Sequence, residues 1–238
     1  MTYMSNMVNT SFGAPTKMTP TRRSDEAPRP IPGRRERRKL ATRDALLDAA
    51  RSLLVSRSMD ALGIDEIAER ADVARGTFYN YFADKDALER ELASRSRSRI
   101  ESEIARVNKG VMDPVERIAR AFVSALHLGI CAPQQATAMM RLFPRATDPA
   151  APINSGVRRD VAEGMTQGRI VATSEDAVVA YVMGVFTAGV NRALDLPAGH
   201  VREFAQGLGA ILLRGLGLES VEAERIMRDA IDTILPRQ

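Results

Sequence analysis

The sequence has few of the residues that build metal and disulfide sites. Its 238 residues include one cysteine, Cys131, and two histidines, His127 and His200, which are far apart in the chain. A single cysteine excludes an internal disulfide framework and a cysteine-based zinc site, and it suits a reducing compartment. Neither histidine lies in a ligand-spaced cluster, so the sequence predicts no metal site and no cofactor. The histidines also lack a nucleophile motif around them, and we therefore expect no enzyme activity.

Long apolar runs and targeting signals are also lacking. The longest strongly apolar stretch covers residues 177–190 and follows Glu175 and Asp176. It is shorter than the roughly 20 residues that a membrane-spanning helix needs. The first 20 residues contain no apolar core behind a basic start, so no secretory signal is predicted. The expectation is a cytoplasmic protein that does not contact a membrane.

Positive charge is concentrated at one end of the chain. The formal net charge is +4, but residues 1–43 hold 10 basic and 3 acidic side chains, whereas residues 44–238 hold 24 basic and 27 acidic ones. Residues 1–38 contain five prolines and few periodic apolar residues. Such a composition cannot bury enough surface to offset the entropy cost of ordering. We therefore predict that residues 1–38 form a disordered basic arm, which ends in the arginine-rich run 34–39.

The rest of the sequence predicts an all-α fold. From residue 45, apolar residues recur at helical spacing, which indicates a first helix with Thr42 as its N-cap. Two short helical segments around a tight turn then form a helix-turn-helix pattern at about 63–82. A long helix follows from Asp84 to Val107. Proline and glycine punctuate six further helical segments, predicted at 113–130, 133–143, 152–168, 174–194, 199–216 and 220–235.

One continuous motif carries the functional information. Residues 64–88 read IDEIAERADVARGTFYNYFADKDAL, with a Gly-Thr-x-Tyr core at 76–79, a Tyr-Phe pair at 81–82 and a lysine at 85. This motif resembles the DNA-binding signature of the TetR family of bacterial transcription regulators. The resemblance implies an N-terminal three-helix helix-turn-helix domain, at 39–92, and a helical effector-binding and dimerisation domain, at 93–238. It further implies a homodimer on a palindromic double-stranded DNA operator, and repression that a small effector relieves.

The residue types fit these roles. Phe78 and Val73 are expected to anchor the recognition helix on the domain. Arg75 is the best candidate for a base contact, because a guanidinium pairs with both acceptors of guanine, and Asn80 is second. Gly76 permits close approach of the backbone to DNA. The predicted DNA contacts are Arg38, Lys39, Arg43, Arg75, Gly76, Thr77, Tyr79, Asn80, Tyr81 and Lys85.

The hydroxyl groups among these residues are expected to reach phosphates, which fix register without reading sequence. Lys85 corresponds to the phosphate-contacting lysine of the family. Each residue also has a structural alternative: Tyr79 and Tyr81 could pack the small domain, Arg75 could be merely solvated, and the 34–39 run could be a solvated linker. These alternatives stay open at the level of sequence.

The motif departs from the family pattern in three places. Gly63 stands where threonine is frequent, Asp72 replaces the usual turn glycine, and Ala74 replaces a serine-type helix cap. Asp72 is predicted to keep the turn, because aspartate tolerates left-handed backbone better than most residues. An alanine at an N-cap loses roughly 1 kcal/mol relative to serine.

The predicted helix-turn-helix region, residues 44–92, is acidic. The basic arm therefore matters more for binding to DNA. Residues 44–92 contain 6 basic and 11 acidic side chains, a net charge of −5. Phosphate affinity scales with the number of charges that the protein neutralises. The sequence therefore predicts that residues 34–43 supply much of the nonspecific affinity for DNA.

The C-terminal half gives weaker predictions. Small residues recur every four positions in segment 174–194, and segment 199–216 has a similar face, so both are expected to pair with their copies in a dimer. The predicted interface comprises Ala180, Gly184, Ala188, Phe204, Leu208, Ile211 and Leu212. A pocket for an apolar or acyl effector is predicted from Phe122, Leu126, His127, Met139, Met140, Phe143, Met165, Met183 and Phe186. Ordinary core packing is the alternative for both sets.

Other functions remain open at this stage. An effector-dependent activator would share every feature above. A constitutive DNA-organising or RNA-binding protein could also use the basic arm, together with the Ser-Arg repeat at 94–99. A sharp footprint on a palindrome would favour the regulator, and uniform coating of any duplex would favour the DNA-organising protein.

Overall fold

The computed structural model describes residues 33–235, apart from the side chain of Ala198. Across these residues the fold is all-α, as predicted, with an N-terminal helix-turn-helix domain and a helical C-terminal domain. The ten helices are α1 Arg34–Leu53, α2 Ile64–Arg70, α3 Arg75–Tyr79, α4 Lys85–Val107, α5 Pro114–Cys131, α6 Pro133–Leu142, α7 Ser155–Thr166, α8 Glu175–Leu194, α9 Val201–Gly215 and α10 Ser220–Ile234.

The N-terminal domain is held together by apolar residues from α1 to α4. Leu46, Ile67, Phe78 and Leu88, one from each helix, are fully buried in a shared core. Burying a side chain of this size contributes roughly 1.5–3 kcal/mol. The helical spacing of apolar residues in the sequence therefore becomes one continuous core beneath the helix-turn-helix motif.

The predicted start of α1 is wrong. The helix begins at Arg34 rather than after Thr42, and the Thr42 hydroxyl donates to the Arg38 carbonyl oxygen inside the helix. Residues 34–38 are therefore helical and not part of a disordered arm, whereas residues 1–32 lie outside the described part of the chain. Arginine and lysine are good helix formers, but this exposed end makes no apolar stripe. The spacing of apolar residues in the sequence therefore does not indicate this part of the helix.

The other predicted boundaries agree closely with the structure. Asp84 caps α4 by accepting a hydrogen bond from the Ala87 amide at 2.6 Å. Asp72 adopts the predicted left-handed conformation, with φ at 56°. Ala74 precedes α3 and makes no side-chain cap bond, as its residue type requires.

The C-terminal domain is built around α5, which packs against α7, α8, α9 and α10. Buried charges join these helices, because Arg117 of α5 forms ion pairs with Asp160 and Glu163 of α7. Burial raises the pKa of Asp160, although the charge of Arg117 opposes this effect. A removed partner would therefore leave a buried charge unpaired, which is strongly destabilising.

Helix α8 is the central apolar helix predicted from residues 177–190. At 20 residues it is long and apolar enough to meet a length-and-composition test for a membrane span, so length alone does not exclude one. Its Val179 and Val182 are completely buried against the rest of the domain. Packing within the chain thus accounts for the apolar residues on the inner side of this helix.

Candidate nucleic-acid interface

The helix-turn-helix is held rigidly by backbone and apolar contacts. Helix α2 packs against α1 through Ile67 and Ala68, and the Val73 amide donates to the Ala68 carbonyl oxygen across the turn. The left-handed Asp72 reverses the chain within this turn. Because α2 is anchored in the core, the direction of α3 is set by a turn of only four residues.

Helix α3 has one buried and one exposed side. Phe78 is fully buried and lies 5.7 Å from the ring of Phe82, with Val73 packed at the edge of the same core. Both therefore act as the predicted anchors. On the other side, Arg75 and Tyr79 are exposed, so the helix presents a polar face to solvent.

The predicted contact residues of α3 and its C-terminal end lie on one exposed region. Arg75, Gly76, Tyr79 and Asn80 are exposed, whereas Thr77 is half-buried. Tyr81 is half-buried and packs partly against the N-terminal core, so the structural alternative applies to it in part. Tyr79 is 47% exposed, and its hydroxyl lies beside the exposed Arg75 side chain.

Gly76 has no internal reason to be glycine. A Cβ atom built at this position meets nothing within 4 Å, and its φ is not positive. Glycine inside a helix costs roughly 1 kcal/mol relative to alanine. The chain therefore accepts a local cost without any packing benefit within the described residues, and this fits close approach of an external surface.

Arg75 is held by a neighbour that the sequence did not single out. Its Nη1 donates to Asp65 Oδ2 of α2 at 2.7 Å, and both side chains are more than half exposed. Such an exposed pair is weak and can open or reorient at little cost. No periodic pattern connects positions 65 and 75, so only the folded turn brings them together.

Arg43, one of the predicted DNA contacts, also pairs within the domain. Its guanidinium donates to both carboxylate oxygens of Glu91 and lies 4.9 Å from the centre of the Phe82 ring. The hydrogen bond from Arg43 is the main cause that lowers the pKa of Glu91. These contacts join α1 to α4 through Nε and Nη2 of the guanidinium, while 35% of the Arg43 side chain stays exposed.

Lys85, another predicted DNA contact, also bonds within the domain. Its Nζ donates to the backbone carbonyl oxygens of Met59, Asp60 and Leu62 at 3.0–3.1 Å. The three donors of the ammonium group are thus used inside the protein. A phosphate contact would require at least one of these bonds to break.

The basic run becomes the first turns of α1. All residues from Arg34 to Lys39 are exposed, and no ion pair to them occurs within residues 33–235. Positive charge at a helix N-terminus opposes the helix dipole. Arg38 and Lys39 therefore stand on a solvated cationic surface that internal carboxylates leave uncompensated.

The predicted effector residues are divided between the two cores, with Phe122, Leu126, Met165, Met183 and Phe186 in or against the C-terminal one. Phe122 and Phe186 pack in the C-terminal core with ring centres 5.4 Å apart, whereas Phe143 packs against the N-terminal core. Leu126 is fully buried, while the methionines and His127 are partly buried. Two open surface clefts lie elsewhere, along α8 and α9, and neither contains a residue of the predicted pocket.

One residue of the predicted dimer interface is wrong. Leu212 is completely buried within its own chain, because it lies on the inner side of α9, and it cannot meet a second copy. Ile211, its neighbour, is 55% exposed. The sequence analysis missed Tyr181, which is 36% exposed and whose hydroxyl donates to the Ile211 carbonyl oxygen at 3.2 Å.

Comparison with known proteins identifies the motif. Residues 46–92 match the family described as bacterial regulatory proteins, tetR family. An uncharacterised HTH-type transcriptional regulator of Mycobacterium tuberculosis is 33% identical over 85 residues, which cover 36% of this chain and 42% of that protein. The chain thus spans about two fifths of the length of this curated relative.

Solved structures extend the likeness to both domains. RolR, crystallised in complex with the ligand resorcinol, is 27% identical, with a TM-score of 0.53 over 80% of this chain and 95% of that one. A tetR-family protein from Shewanella sp. PV-4 shares the fold, with 17% identity and a TM-score of 0.65 over 74% of this chain and 97% of that one. Together, the motif and the family match show that residues 46–92 form a DNA-binding domain of the tetR family of bacterial regulatory proteins, and the solved structures share the two-domain fold.

Proposed function

We propose that the protein is a transcriptional repressor that binds a palindromic operator as a homodimer and is released by a small apolar effector. The exposed face of α3 carries the first part of the proposal, because it presents Arg75, Tyr79 and Asn80 to solvent and Gly76 adds no side chain there. Arg75 and Asn80 would face base edges, while Thr77, Tyr79 and Tyr81 would reach phosphates.

The cationic start of α1 supplies the electrostatic part of the binding. The helix-turn-helix region at residues 44–92 has a net charge of −5, so its own charge opposes association with DNA. Arg38 and Lys39 are exposed and lie outside the ion pairs of the domain. They would place positive charge on the phosphates beside the groove in which α3 lies.

The outer face of α8 and α9 supports the dimer. Tyr181, Ala188 and Ile211 are exposed on these two helices, and the two clefts flank them. A second copy of the same face would cover these apolar groups and form a four-helix interface. Such an interface would set the spacing of two α3 helices on a palindrome.

The proposed effector would enter the C-terminal domain beside α5 and α8. RolR binds resorcinol in its crystal structure, which supports a small-molecule ligand for a related fold. In this chain, Leu126 and Phe122 pack tightly where a Cβ of Gly189 would stand, so the ligand must displace side chains. Met165 and Met183 lie at the edge of this core and can adapt their shape. The proposed site of action is the cytoplasm, where the chromosome lies.

Selection of duplexes from a random pool, followed by footprinting, tests the proposal. We expect one enriched palindrome, a sharp footprint, and two protein copies per duplex in analytical ultracentrifugation. Uniform coating of any duplex would instead support a DNA-organising protein. A reporter gene behind the selected operator distinguishes repression from activation, and mass spectrometry of copurified small molecules tests for the apolar effector.

A further inference from the structure

We propose that the seam between α5 and the start of α7 is a polar subsite, which binds the hydroxyl group of an uncharged alcohol or phenol. This inference rests on the proposed effector binding and names the chemical class of the effector. Two side-chain oxygen atoms carry it, Ser124 Oγ of α5 and Asn154 Oδ1 directly before α7. Both atoms are buried, and neither has a hydrogen-bond partner within residues 33–235. Buried polar atoms are nearly always paired, so these two are exceptions that a ligand would explain.

Asn154 offers a hydrogen-bond acceptor with a fixed direction. The residue is completely buried, and its Nδ2 donates to the carbonyl oxygens of Ala146 and Asp148 at 2.7 and 2.8 Å. Both amide hydrogens are thus used, which identifies the remaining atom of the amide as the oxygen. A ligand at this point must therefore supply a hydrogen-bond donor.

The register of the two helices places both oxygen atoms at the same level. Arg117 of α5 donates to Asp160 of α7 at 3.0 Å, and a Cβ built on Gly164 would lie 3.5 Å from Pro114. Later residues of α7 thus face earlier residues of α5, so the two helices are antiparallel. From the ion pair, the serine lies seven residues further along α5 and the asparagine lies six residues back along the chain. Both displacements amount to about 10 Å at the helical rise per residue, in the same direction.

A neutral hydroxyl group matches both atoms. It can donate to Asn154 Oδ1 and accept from the hydroxyl of Ser124, whereas a ketone or an ether could satisfy only the serine. A charged ligand is disfavoured, because Arg117 already pairs with Asp160 and Glu163. An isolated charge in such a buried place would be costly.

The segment between α6 and α7 covers this seam and offers an entrance to it. Every residue in the range 143–153 keeps some exposure to solvent. A segment with few buried apolar contacts opens locally at a low cost in free energy. Helix α7 also packs against α8, so the seam adjoins the proposed effector site beside α5 and α8.

The test uses two pairs of probes in which a methyl group replaces the hydroxyl, phenol with toluene and benzyl alcohol with ethylbenzene. Calorimetry measures their binding to the full-length protein without DNA. We expect the hydroxyl compound to bind roughly ten- to a hundredfold more tightly than its methyl partner, the scale of two hydrogen bonds to buried groups. Equal binding within both pairs, or no binding of either hydroxyl compound, would overturn the proposal.

Ser124→Ala removes one of the two oxygen atoms with little change in shape. We expect it to reduce the preference for the hydroxyl compound about tenfold. It should not lower the melting temperature of the unliganded protein, because it removes a hydroxyl that has no partner. Ser52→Ala is the matched control, since this half-buried hydroxyl already donates to the Ala49 carbonyl oxygen at 2.8 Å, and it should leave the preference unchanged. An unchanged preference in Ser124→Ala would overturn the proposal, as would a lower melting temperature, which would indicate a structural water molecule in place of a ligand.

Hydrogen exchange locates the bound probe. We expect phenol to slow exchange at residues 143–157 of the unmodified protein, and protection confined to other residues would contradict the site. If the protein prefers hydroxyl compounds but selects no duplex, the proposed function fails while the subsite stands. If it selects an operator but shows no such preference, only this inference fails.

Discussion

Neighbouring side chains determine which arginines near the helix-turn-helix are able to turn towards DNA. Arg75 is exposed and makes weak surface contacts with Tyr79 and Asp65, so it can turn towards another acceptor. Arg43 is held by the Glu91 carboxylate and the Phe82 ring. Whether an arginine can turn towards DNA or is held within the domain therefore depends on partners that are distant in sequence.

Arg75→Ala should relax the sequence preference of DNA binding. A bidentate contact to guanine contributes about 1–3 kcal/mol of discrimination, so the variant should bind the selected operator and its base-substituted versions more equally. Arg70→Ala is the control, because Arg70 is an exposed cation of α2 that donates to Ser52. Competition titrations measure the ratio of affinities. An unchanged ratio in Arg75→Ala would exclude it as the base-reading residue.

At the scale of the element, α1 serves two purposes along its length. Its second half is anchored by buried leucines such as Leu46, whereas its first turns are exposed and cationic. Substitution of glutamine keeps much of the helix propensity while removing charge. The electrostatic contribution of this end can therefore be tested without removing the helix.

Glutamine in place of the five cations of residues 34–39 should weaken DNA binding and flatten its salt dependence. Each lost phosphate contact reduces the slope of log K against log salt by about 0.9. Removal of residues 1–39 should act in the same direction. Deletion of residues 1–32 alone distinguishes the contribution of the helical turns to DNA binding from that of the preceding segment. If the slope stays constant in the glutamine variant, this surface does not contact phosphates.

The contact between α1 and α4 should make stability depend on acid pH. Arg43 lowers the pKa of Glu91 below its ordinary value of 4.5, so the ionised carboxylate stabilises the folded state above that value. This contribution is lost as the pH falls through the lowered pKa. Glu91→Gln should cost about 1 kcal/mol at neutral pH and less in acid. Urea unfolding between pH 7 and pH 3 measures both effects.

Glu101→Gln is the matched control for this measurement, because within residues 33–235 Glu101 pairs only with Arg97 of the same helix, at 3.6 Å. Its replacement should leave stability nearly constant at every pH. A Glu91→Gln variant with the same pH profile as the unmodified protein would contradict a stabilising role for the contact between α1 and α4.

Across the whole molecule, α6 connects the two domains. Ala138 and Leu142 of α6 are buried in the N-terminal core, and Arg141 donates to the Leu54 carbonyl oxygen beyond the end of α1 at 3.0 Å. Helix α6 follows α5, the centre of the C-terminal domain, after a break at Ala132. A movement of α5 would thus reach the DNA-binding domain through packed side chains.

Ile211→Glu should convert the proposed dimer to monomers. The side chain is 55% exposed on α9, so the substitution costs the monomer little, but it would bury an unpaired charge between two copies. Val221→Glu is the control, because Val221 is 83% exposed and belongs to α10 rather than to α8 or α9. Ultracentrifugation should show monomers only for Ile211→Glu. A dimer retained in this variant would place the interface elsewhere.

The sequence by itself determined the all-α class, most helix boundaries, the DNA-reading motif and the left-handed turn at Asp72. These features depend on short-range physics: helical spacing, capping side chains and the conformational preference of single residues. It did not detect the exposed start of α1, which has no buried stripe. Only the tertiary structure decided that Lys85 and Arg43 bond within the domain, that Leu212 faces the core and that Phe143 belongs to the N-terminal core. Each of these outcomes depends on which distant groups the fold brings into contact, and a local pattern does not contain that information.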